Sequence, residues 1–363
     1  MGIERFFSSI NKKFNIIQDI YSPYPKVETS HLFIDFNSII HVISSKIKND
    51  SKSNILIENL IINEVKKYVI NLLTNNFDKN KIKFIMIAID GVPSKAKMIE
   101  QRRRRYMGEL IKILLNNDNT NWNKNNISPG TYFMDLLSKE MNSTDFLIEI
   151  KNICPKLNKL LVSDIYYFEE GEKKITNCIN NMRFSNNDSI TIYSPDSDVI
   201  LLALILKTNI SKIFIYRHDQ QKSNKNYVFN IINVDKLKIS IHKHIDLNKD
   251  VPRFKIINDI VLIFTIFGDD FLPKIKSYDV KNDINKILDF YNLTLFYHKG
   301  KTLIDNNKMS FDFFTELLGF MSKYEDNVIE YNKLDQKYHN FTSVSNFLFH
   351  QSLSNFKYQD NFK

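Results

Sequence analysis

The stretch that decides the fold runs over Ile89–Tyr106 and reads Ile-Asp-Gly-Val-Pro-Ser-Lys-Ala-Lys-Met-Ile-Glu-Gln-Arg-Arg-Arg-Arg-Tyr. An acid, Asp90, ends an apolar run, and a basic segment of helical character begins directly after it. Four polar side chains recur at intervals that place them on one helix face: Lys97, Gln101, Arg104 and Arg105. Such a face binds anions, and a neighbouring carboxylate binds metal. The alternatives for the arginine run are a solvated basic helix and a nuclear-localisation patch.

Strand-like apolar runs that end beside acids recur along the chain, and helix-like segments separate them. The strand candidates are His31–Ile34, Lys83–Ile89, Leu160–Phe168, Ser189–Ser194 and Lys212–Tyr216. The helix candidates are Ile39–Ile47, Asn54–Leu73, Lys95–Leu115, Gly130–Met141, Glu172–Met182 and Val199–Leu206. This alternation predicts an α/β fold with a mostly parallel central sheet flanked by helices.

From about residue 235 the pattern turns helical. The segments there are Val251–Phe267, Asp283–Phe290 and Ser310–Lys323. We therefore expect an α/β domain over residues 1–235 and a helical part over residues 236–363 that completes it. The polar segment Asn116–Asn126 is predicted to be a mobile loop, and it contains the single tryptophan of the chain, Trp122.

Acids follow the predicted strands and the apolar run near residue 267, where a parallel sheet binds its ligands. They are Asp35, Asp90, Glu170, Glu172, Asp196, Asp198, Asp270 and Asp279. A set of oxygen ligands without His or Cys favours Mg²⁺ or Mn²⁺ over zinc. Two such ions about 4 Å apart would activate water and stabilise the leaving oxygen of a phosphodiester. The alternative for each single acid is a helix N-cap, because the helix dipole favours a negative charge there.

The composition narrows the class of protein. The chain has 363 residues, is 43% hydrophobic and 25% charged, and carries a net charge of +9, as expected of a soluble protein with a polyanionic partner. Its two cysteines, Cys154 and Cys178, form no disulfide framework or zinc cluster, so a reducing compartment is expected, the cytoplasm or the nucleus. No apolar run reaches the length of a membrane span, and no membrane partner is expected.

Seven stretches follow one another in the order of a known family. They are Met1-Gly2-Ile3 with Phe6-Phe7, the run from Asp35 to His41, Asp90-Gly91-Val92 through Arg105, Ser128-Pro129-Gly130-Thr131-Tyr132-Phe133-Met134, Glu170-Gly171-Glu172-Lys173-Lys174-Ile175, Asp196-Ser197-Asp198 and Gly268-Asp269-Asp270-Phe271-Leu272-Pro273. In these stretches the chain resembles the N-terminal nuclease region of the Xrn-type 5′→3′ exoribonucleases, within the wider flap-endonuclease and PIN-like superfamily. The resemblance covers roughly residues 1–280.

The resemblance implies a fold, a reaction and site roles. It implies a PIN-like nuclease fold and stepwise hydrolysis of 5′-monophosphorylated RNA by two metal ions, Mg²⁺ or Mn²⁺. The eight acids named above then become the metal ligands. The 5′-phosphate pocket comprises Lys97, Gln101, Arg104 and Arg105. His41 matches the position that stacks on the first base, although its residue type and place also fit a histidine satisfied within a helix. Single-stranded RNA is the expected partner, and DNA is possible.

The chain departs from the family pattern at two positions. Phe168-Glu169 stands where the family usually has Pro-Gly, and Asp269 stands where Asn is usual, so each change adds a carboxylate. Two rival functions stay open at this point. One is a structure-specific 5′ DNA nuclease that uses the same acids, and the other is a non-catalytic nucleic-acid-binding protein that retains the fold.

Overall fold

The structure is a computed structural model, and it describes residues 3, 5–21, 26–47, 53–114, 122–219, 228–245, 251–269, 272–275 and 277–335. The strands in these ranges are β1 (Ile17–Tyr21), β2 (His31–Asp35), β3 (Phe84–Ala88), β4 (Lys159–Ser163), β5 (Ile190–Tyr193), β6 (Ile213–Asp219), β7 (Val228–Asn233), β8 (Ile304–Asp305) and β9 (Lys308–Met309). The helices are α1 (Phe6–Phe14), α2 (Asn37–Lys46), α3 (Asn54–Asn76), α4 (Lys95–Leu114), α5 (Tyr132–Met141), α6 (Thr144–Ile153), α7 (Gly171–Asn181), α8 (Asp198–Leu204), α9 (Val234–Ile245), α10 (Arg253–Phe264), α11 (Val280–Tyr297) and α12 (Phe311–Asp335).

The large sheet has the strand order β1-β7-β6-β5-β2-β3-β4. The five strands from β6 to β4 pair in parallel, whereas β7 is antiparallel to both β6 and β1. The predicted α/β class with a mostly parallel sheet is therefore confirmed. The carboxyl ends of β2, β3, β4 and β5 meet at one edge, where the candidate site lies.

Helices cover both faces of the sheet, so the central strands are mostly apolar. Along β2, Phe33 belongs to the core that includes α8 to α12, while Leu32 and Ile34 belong to the core that includes α3, α5 and α6. This alternation is the period of two residues expected of a strand with a core on each side. The C-terminal helices thus share a core with one face of the sheet. The division at residue 235 stays a prediction.

The prediction of a strand over Leu160–Phe168 is wrong in its second half, because β4 ends at Ser163. A turn follows at once: Asp164 Oδ1 accepts a hydrogen bond from the backbone N–H of Tyr166 at 3.0 Å. The side chains of residues 166–168 are exposed, so their apolar character does not reflect burial in a sheet.

The expectation of a mobile loop over Asn116–Asn126 is wrong for its last part. Trp122 is only 5% exposed, and Lys124–Asn126 forms a short 3₁₀ turn. The first part of that prediction, residues 116–121, lies outside the described residues. Among the described residues, no helix combines the length and the apolar character needed to cross a membrane.

Candidate active site

A cleft of about 770 Å³ opens at the carboxyl ends of the parallel strands. Six of the predicted acids line it: Asp35, Asp90, Glu170, Glu172, Asp196 and Asp198. The four predicted phosphate-binding residues also line it, together with the predicted stacking residue: Lys97, Gln101, Arg104, Arg105 and His41. Residues that are up to 163 positions apart in the sequence therefore meet in one cleft, as the strand-end pattern predicted.

Hydrogen bonds fix the two acids at the centre of the sheet edge. Asp35 ends β2, and its Oδ2 accepts a bond of 2.7 Å from the Ser194 hydroxyl. Asp90 follows β3, and it accepts bonds from Asn37 Nδ2 at 2.8 Å and from the backbone N–H of Gly171 at 2.7 Å. Both carboxylates are thus held in place by the polypeptide itself.

The lack of a side chain at Gly171 leaves room between these two acids. A Cβ at that position would lie 2.9 Å from Asp35 Oδ1 and 3.3 Å from Asp90 Oδ1. Any larger residue would push against both carboxylates. This explains physically why glycine separates the two glutamates of Glu170-Gly171-Glu172.

Burial and the crowding of negative charges raise the pKa values of three acids of the cleft. Burial, followed by the charges of Asp90 and Asp196, raises the pKa of Asp35 well above its usual value. Burial raises the pKa of Asp90 to about 6. Burial, with the charges of Asp198 and Glu170, raises the pKa of Glu172 to about 8. A bound cation would relieve this repulsion.

The six acids of the cleft fit a hard divalent cation, because they offer only oxygen ligands and are negatively charged when ionised. In the described residues, no three His, Cys, Asp or Glu side chains are already gathered at ligating distance. The fit therefore rests on the shared cleft and on the mutual repulsion of its carboxylates.

The alternative role of a helix N-cap fits one of the predicted acids and not another. Glu170 stands at the N-cap of α7, yet its side chain makes no capping hydrogen bond. Asp279 does not line the cleft. Its Oδ1 accepts a bond from the backbone N–H of Lys281 at 2.8 Å, and its Oδ2 lies 3.4 Å from Lys274 Nζ. The contacts of Asp279 are those of a helix cap, and its metal role stays a prediction. Asp270 lies outside the described residues.

The basic helix is joined directly to the acids. Lys97 Nζ lies 3.1 Å from Glu170 Oε1, and both side chains are largely buried. Gln101 Nε2 donates to the same oxygen at 3.5 Å, and the Arg105 guanidinium donates to Gln101 Oε1 at 3.5 Å. Arg104 pairs with Glu100 at 2.9 Å one turn earlier. The predicted phosphate-binding face of α4 therefore borders the carboxylates.

His41 lies on α2 and lines the cleft. Burial lowers the pKa of His41, as does the charge of Lys124, while the charge of Asp196 opposes the shift. A neutral imidazole is favoured as a result. The ring is thus suited to stacking more than to binding a phosphate as a cation.

Several cleft residues were not identified from the sequence: Asn37, Ser38, Lys124, Asn125 and Arg217. Asn37 carried a usable signal, since it follows Asp35 by two positions. Arg217 stands near the carboxyl end of β6, and its guanidinium lies 3.6 Å from the centre of the Phe7 ring. Only the tertiary structure brings Arg217 and Lys124 to the cleft.

Glu169, the departure from the family's Pro-Gly, is held in a conformation that favours glycine. Its φ is +80°, and its carboxylate accepts a hydrogen bond of 2.7 Å from Asn177 instead of lining the cleft. We expect Glu169→Gly to raise the free energy of unfolding by about 0.5–1 kcal/mol, because it removes the left-handed strain. Chemical denaturation measures this change. Glu169→Ala is the control, since it loses the carboxylate and keeps the strain. An equal gain in both variants would contradict the backbone explanation.

Comparison with known proteins identifies the class. Residues 1–219 match the family described as the XRN 5′-3′ exonuclease N-terminus, and the chain belongs to that family. The match spans β1 to β6 and every described acid of the cleft.

Particular relatives show the same relation. The chain is 32% identical over 263 residues to protein R528 of Acanthamoeba polyphaga mimivirus, provisionally named a 5′-3′ exonuclease, covering 66% of this chain and 42% of the relative. It is 25% identical over 370 residues to 5′-3′ exoribonuclease 1 of Saccharomyces cerevisiae, covering 94% of this chain and 24% of the relative. The chain thus spans less than half the length of these relatives.

A solved structure of the catalytic core of Rad2 in complex with a DNA substrate is a more distant likeness. It shares 15% identity and a TM-score of 0.42, over 91% of this chain and 78% of that one. A score of this size carries no argument about the substrate of this chain.

Proposed function

We propose that this protein is a metal-dependent 5′→3′ exoribonuclease that acts on 5′-monophosphorylated, single-stranded RNA. The observation that carries the proposal is the single cleft in which six carboxylates border a phosphate-binding helix face, joined by the contact between Lys97 and Glu170 at 3.1 Å. Membership of the XRN family supports the same function, as do relatives named exonuclease and exoribonuclease.

In this proposal the two parts of the cleft act on different phosphates. The α4 face binds the terminal 5′-phosphate, with arginine forks on its oxygens and Lys97 as a point charge. The bond to the next nucleotide then lies at the carboxylates, and the ring of His41 supports the first base. Binding the chain end at a fixed place would limit each cut to the end of the RNA.

The carboxylates would hold Mg²⁺ or Mn²⁺, and two ions are proposed. When bound, such ions lower the pKa of water and stabilise the charge on a leaving oxygen. The protein's own part is to hold Asp35 and Asp90 in position through Ser194, Asn37 and Gly171. Cleavage of the bond between phosphorus and the 3′-oxygen releases a mononucleotide and leaves a new 5′-phosphate on the RNA, so the shortened RNA is again a substrate.

Digestion of end-labelled RNA and DNA tests this function. Each substrate carries a 5′-monophosphate, triphosphate or hydroxyl end, and each reaction contains Mg²⁺ or EDTA. We expect mononucleotides from monophosphorylated RNA with Mg²⁺ and no product with EDTA. Preferred cutting of branched DNA would instead support a structure-specific DNA nuclease. Binding without any product under both conditions would support a non-catalytic binding protein.

We expect His41→Ala to lower the rate of successive cleavage by about 10- to 100-fold, because one stacked base contributes roughly 1–3 kcal/mol. Initial binding should change less, since the terminal phosphate is bound by α4. Single-turnover kinetics on monophosphorylated RNA separates the two effects. His41→Phe is the matched variant, because it keeps an aromatic surface, and it should retain most of the rate. Equal losses in both variants would contradict a stacking role.

A further inference from the structure

The turn that follows the Asn-rich segment is anchored by the single tryptophan. The Trp122 ring is buried and packs edge-on against Phe133, with ring centres 5.2 Å apart. Its Nε1–H donates to Glu58 Oε1 at 3.2 Å, and Asn126 Nδ2 donates to the same oxygen at 3.4 Å. A buried carboxylate of α3 thus holds both the last residue of the 3₁₀ turn and the tryptophan that precedes the turn.

The turn is also braced internally and against the basic helix. Asn123 Oδ1 accepts a bond from the backbone N–H of Asn125 at 2.8 Å. Asn125 Nδ2 donates to Glu109 Oε1 at 3.2 Å, one turn beyond Arg105 on α4. The position of Lys124 is therefore defined by its neighbours and lies beside the arginine end of α4.

Lys124 lines the cleft from the wall that this turn forms. The charges of Lys124, Arg104 and Arg105 all lower the pKa of His41, so the three cations lie near the same ring. They reach it from different elements, since two lie on α4 and Lys124 lies on the turn. The basic part of the cleft is consequently formed by two elements, α4 and the 3₁₀ turn.

Two cations of α4 already form ion pairs with acids, which leaves a role for a cation on another element. Lys97 faces Glu170 at 3.1 Å and Arg104 faces Glu100 at 2.9 Å, so part of their charge is offset by acids. A terminal monophosphate carries close to two negative charges at neutral pH. A further cation on the neighbouring turn would match that charge. The place of Lys124, beside Arg105 and the Asn125–Glu109 contact, fits the terminal phosphate better than the bond cut at the acids.

We propose that Lys124 is a specificity-determining residue that binds the 5′-terminal phosphate of RNA from the turn that packs beside α4, held in place by Trp122 and Glu58. The proposal rests on the proposed function, because it assigns a further contact to the same substrate. A lysine there supplies a compact point charge, which complements the planar forks of the arginines. The motif on α4 would then form only part of the phosphate site.

The test compares 5′-monophosphorylated with 5′-hydroxyl RNA. For Lys124→Ala we expect the ratio of kcat/KM between the two ends to fall by about 10-fold or more, as for one lost contact to a charged group. Lys124→Arg should keep the ratio within about threefold, since it keeps the charge. The matched control is Lys156→Ala, which should leave the ratio unchanged. Lys156 is exposed and precedes the amino end of β4, whereas the cleft lies at the carboxyl ends of the strands.

A second variant tests the anchor without changing the charge. Trp122→Leu removes the bond to Glu58 and should lower the same ratio in the same direction. A thermal unfolding curve for each variant shows that it is folded. If Trp122→Leu fails to fold, Lys124→Ala decides the question, because Lys124 is exposed and its removal leaves the core intact.

A binding measurement keeps this inference separable from the proposed function. Affinities for a nucleoside 5′-monophosphate and for the nucleoside are measured in EDTA, where no cleavage occurs. Lys124→Ala should weaken only the monophosphate, by about 10-fold. If the wild-type protein cuts no RNA but shows this difference, the proposed function fails and the phosphate contact stands. If the wild type prefers the monophosphate and Lys124→Ala keeps that preference in both assays, the Lys124 contact is rejected and the function stands.

Discussion

Asp196→Asn and Asp198→Asn should each lower the rate of RNA cleavage by about 100-fold or more while leaving RNA binding largely intact. The magnitude is that of losing one electrostatic stabiliser of a transition state. Both side chains line the cleft, and Asn keeps their size while removing the charge of a cation ligand. Asp196 is exposed, so its substitution should not disturb folding. RNA binding should persist because most of the phosphate-binding charge lies on α4.

The measurement pairs cleavage rates at saturating Mg²⁺ with RNA affinity in EDTA. Asp279→Asn is the matched control, since Asp279 was predicted from the same sequence pattern but caps α11 outside the cleft. Asn is itself a good N-cap, so this variant should keep its stability, and the cap contacts of Asp279 lead us to expect cleavage within about twofold of the wild type. A loss as large as that of the other two variants would instead support the predicted metal role of Asp279. Near-normal turnover in both Asp196→Asn and Asp198→Asn would reject the metal-site proposal.

The contrast between Asp279 and Glu170 shows what the sequence could not decide. Both acids stand at the N-cap of a helix, and both follow a run that was assigned to the site. Asp279 makes the capping bond, whereas Glu170 makes none and instead contacts Lys97. Both are acids at the start of a helix, so residue class and local position do not separate them. Only the position of each helix relative to the sheet edge separates a cap from a cleft carboxylate.

The sheet could be predicted well because parallel strands are buried on both faces and therefore read as continuous apolar runs. The same rule misled at residues 166–168, where exposed aromatic side chains extended an apolar run past the end of β4. β1 was not predicted, since it contains Gln18 and Asp19, and its strand conformation comes from pairing with β7. Pairing between distant segments leaves no local pattern in the chain.

The candidate site could be predicted in its acids and in its basic face, because each group follows a strand or repeats at helical spacing. Lys124 and Arg217 could not, since neither belongs to a pattern. Trp122 was placed in a loop because its neighbours are polar, yet one buried acid, Glu58, is enough to fix the turn. An asparagine-rich composition indicates that a segment lies at the surface, but it does not show whether that segment has a fixed conformation.

The arginine run itself offers the sharpest test of the phosphate site. The double variant Arg104→Ala/Arg105→Ala should lower the preference for 5′-monophosphate over 5′-hydroxyl RNA by about 100-fold or more, since each charged contact contributes about 1.5–3 kcal/mol. Both side chains line the cleft. Lys97 is less suitable for this purpose, because its removal would also leave the buried Glu170 without its ion pair.

The matched control lies in the same run. Arg102→Ala/Arg103→Ala removes the same charge from the same helix, but these two side chains are exposed and do not line the cleft. If α4 acts only as a general basic surface, both double variants should weaken binding to all RNA ends equally and reduce the salt dependence by similar amounts. If α4 forms a terminal phosphate site, only Arg104→Ala/Arg105→Ala changes the ratio of kcat/KM between the two ends. An unchanged ratio in that variant would reject the phosphate site and leave α4 as a solvated basic helix.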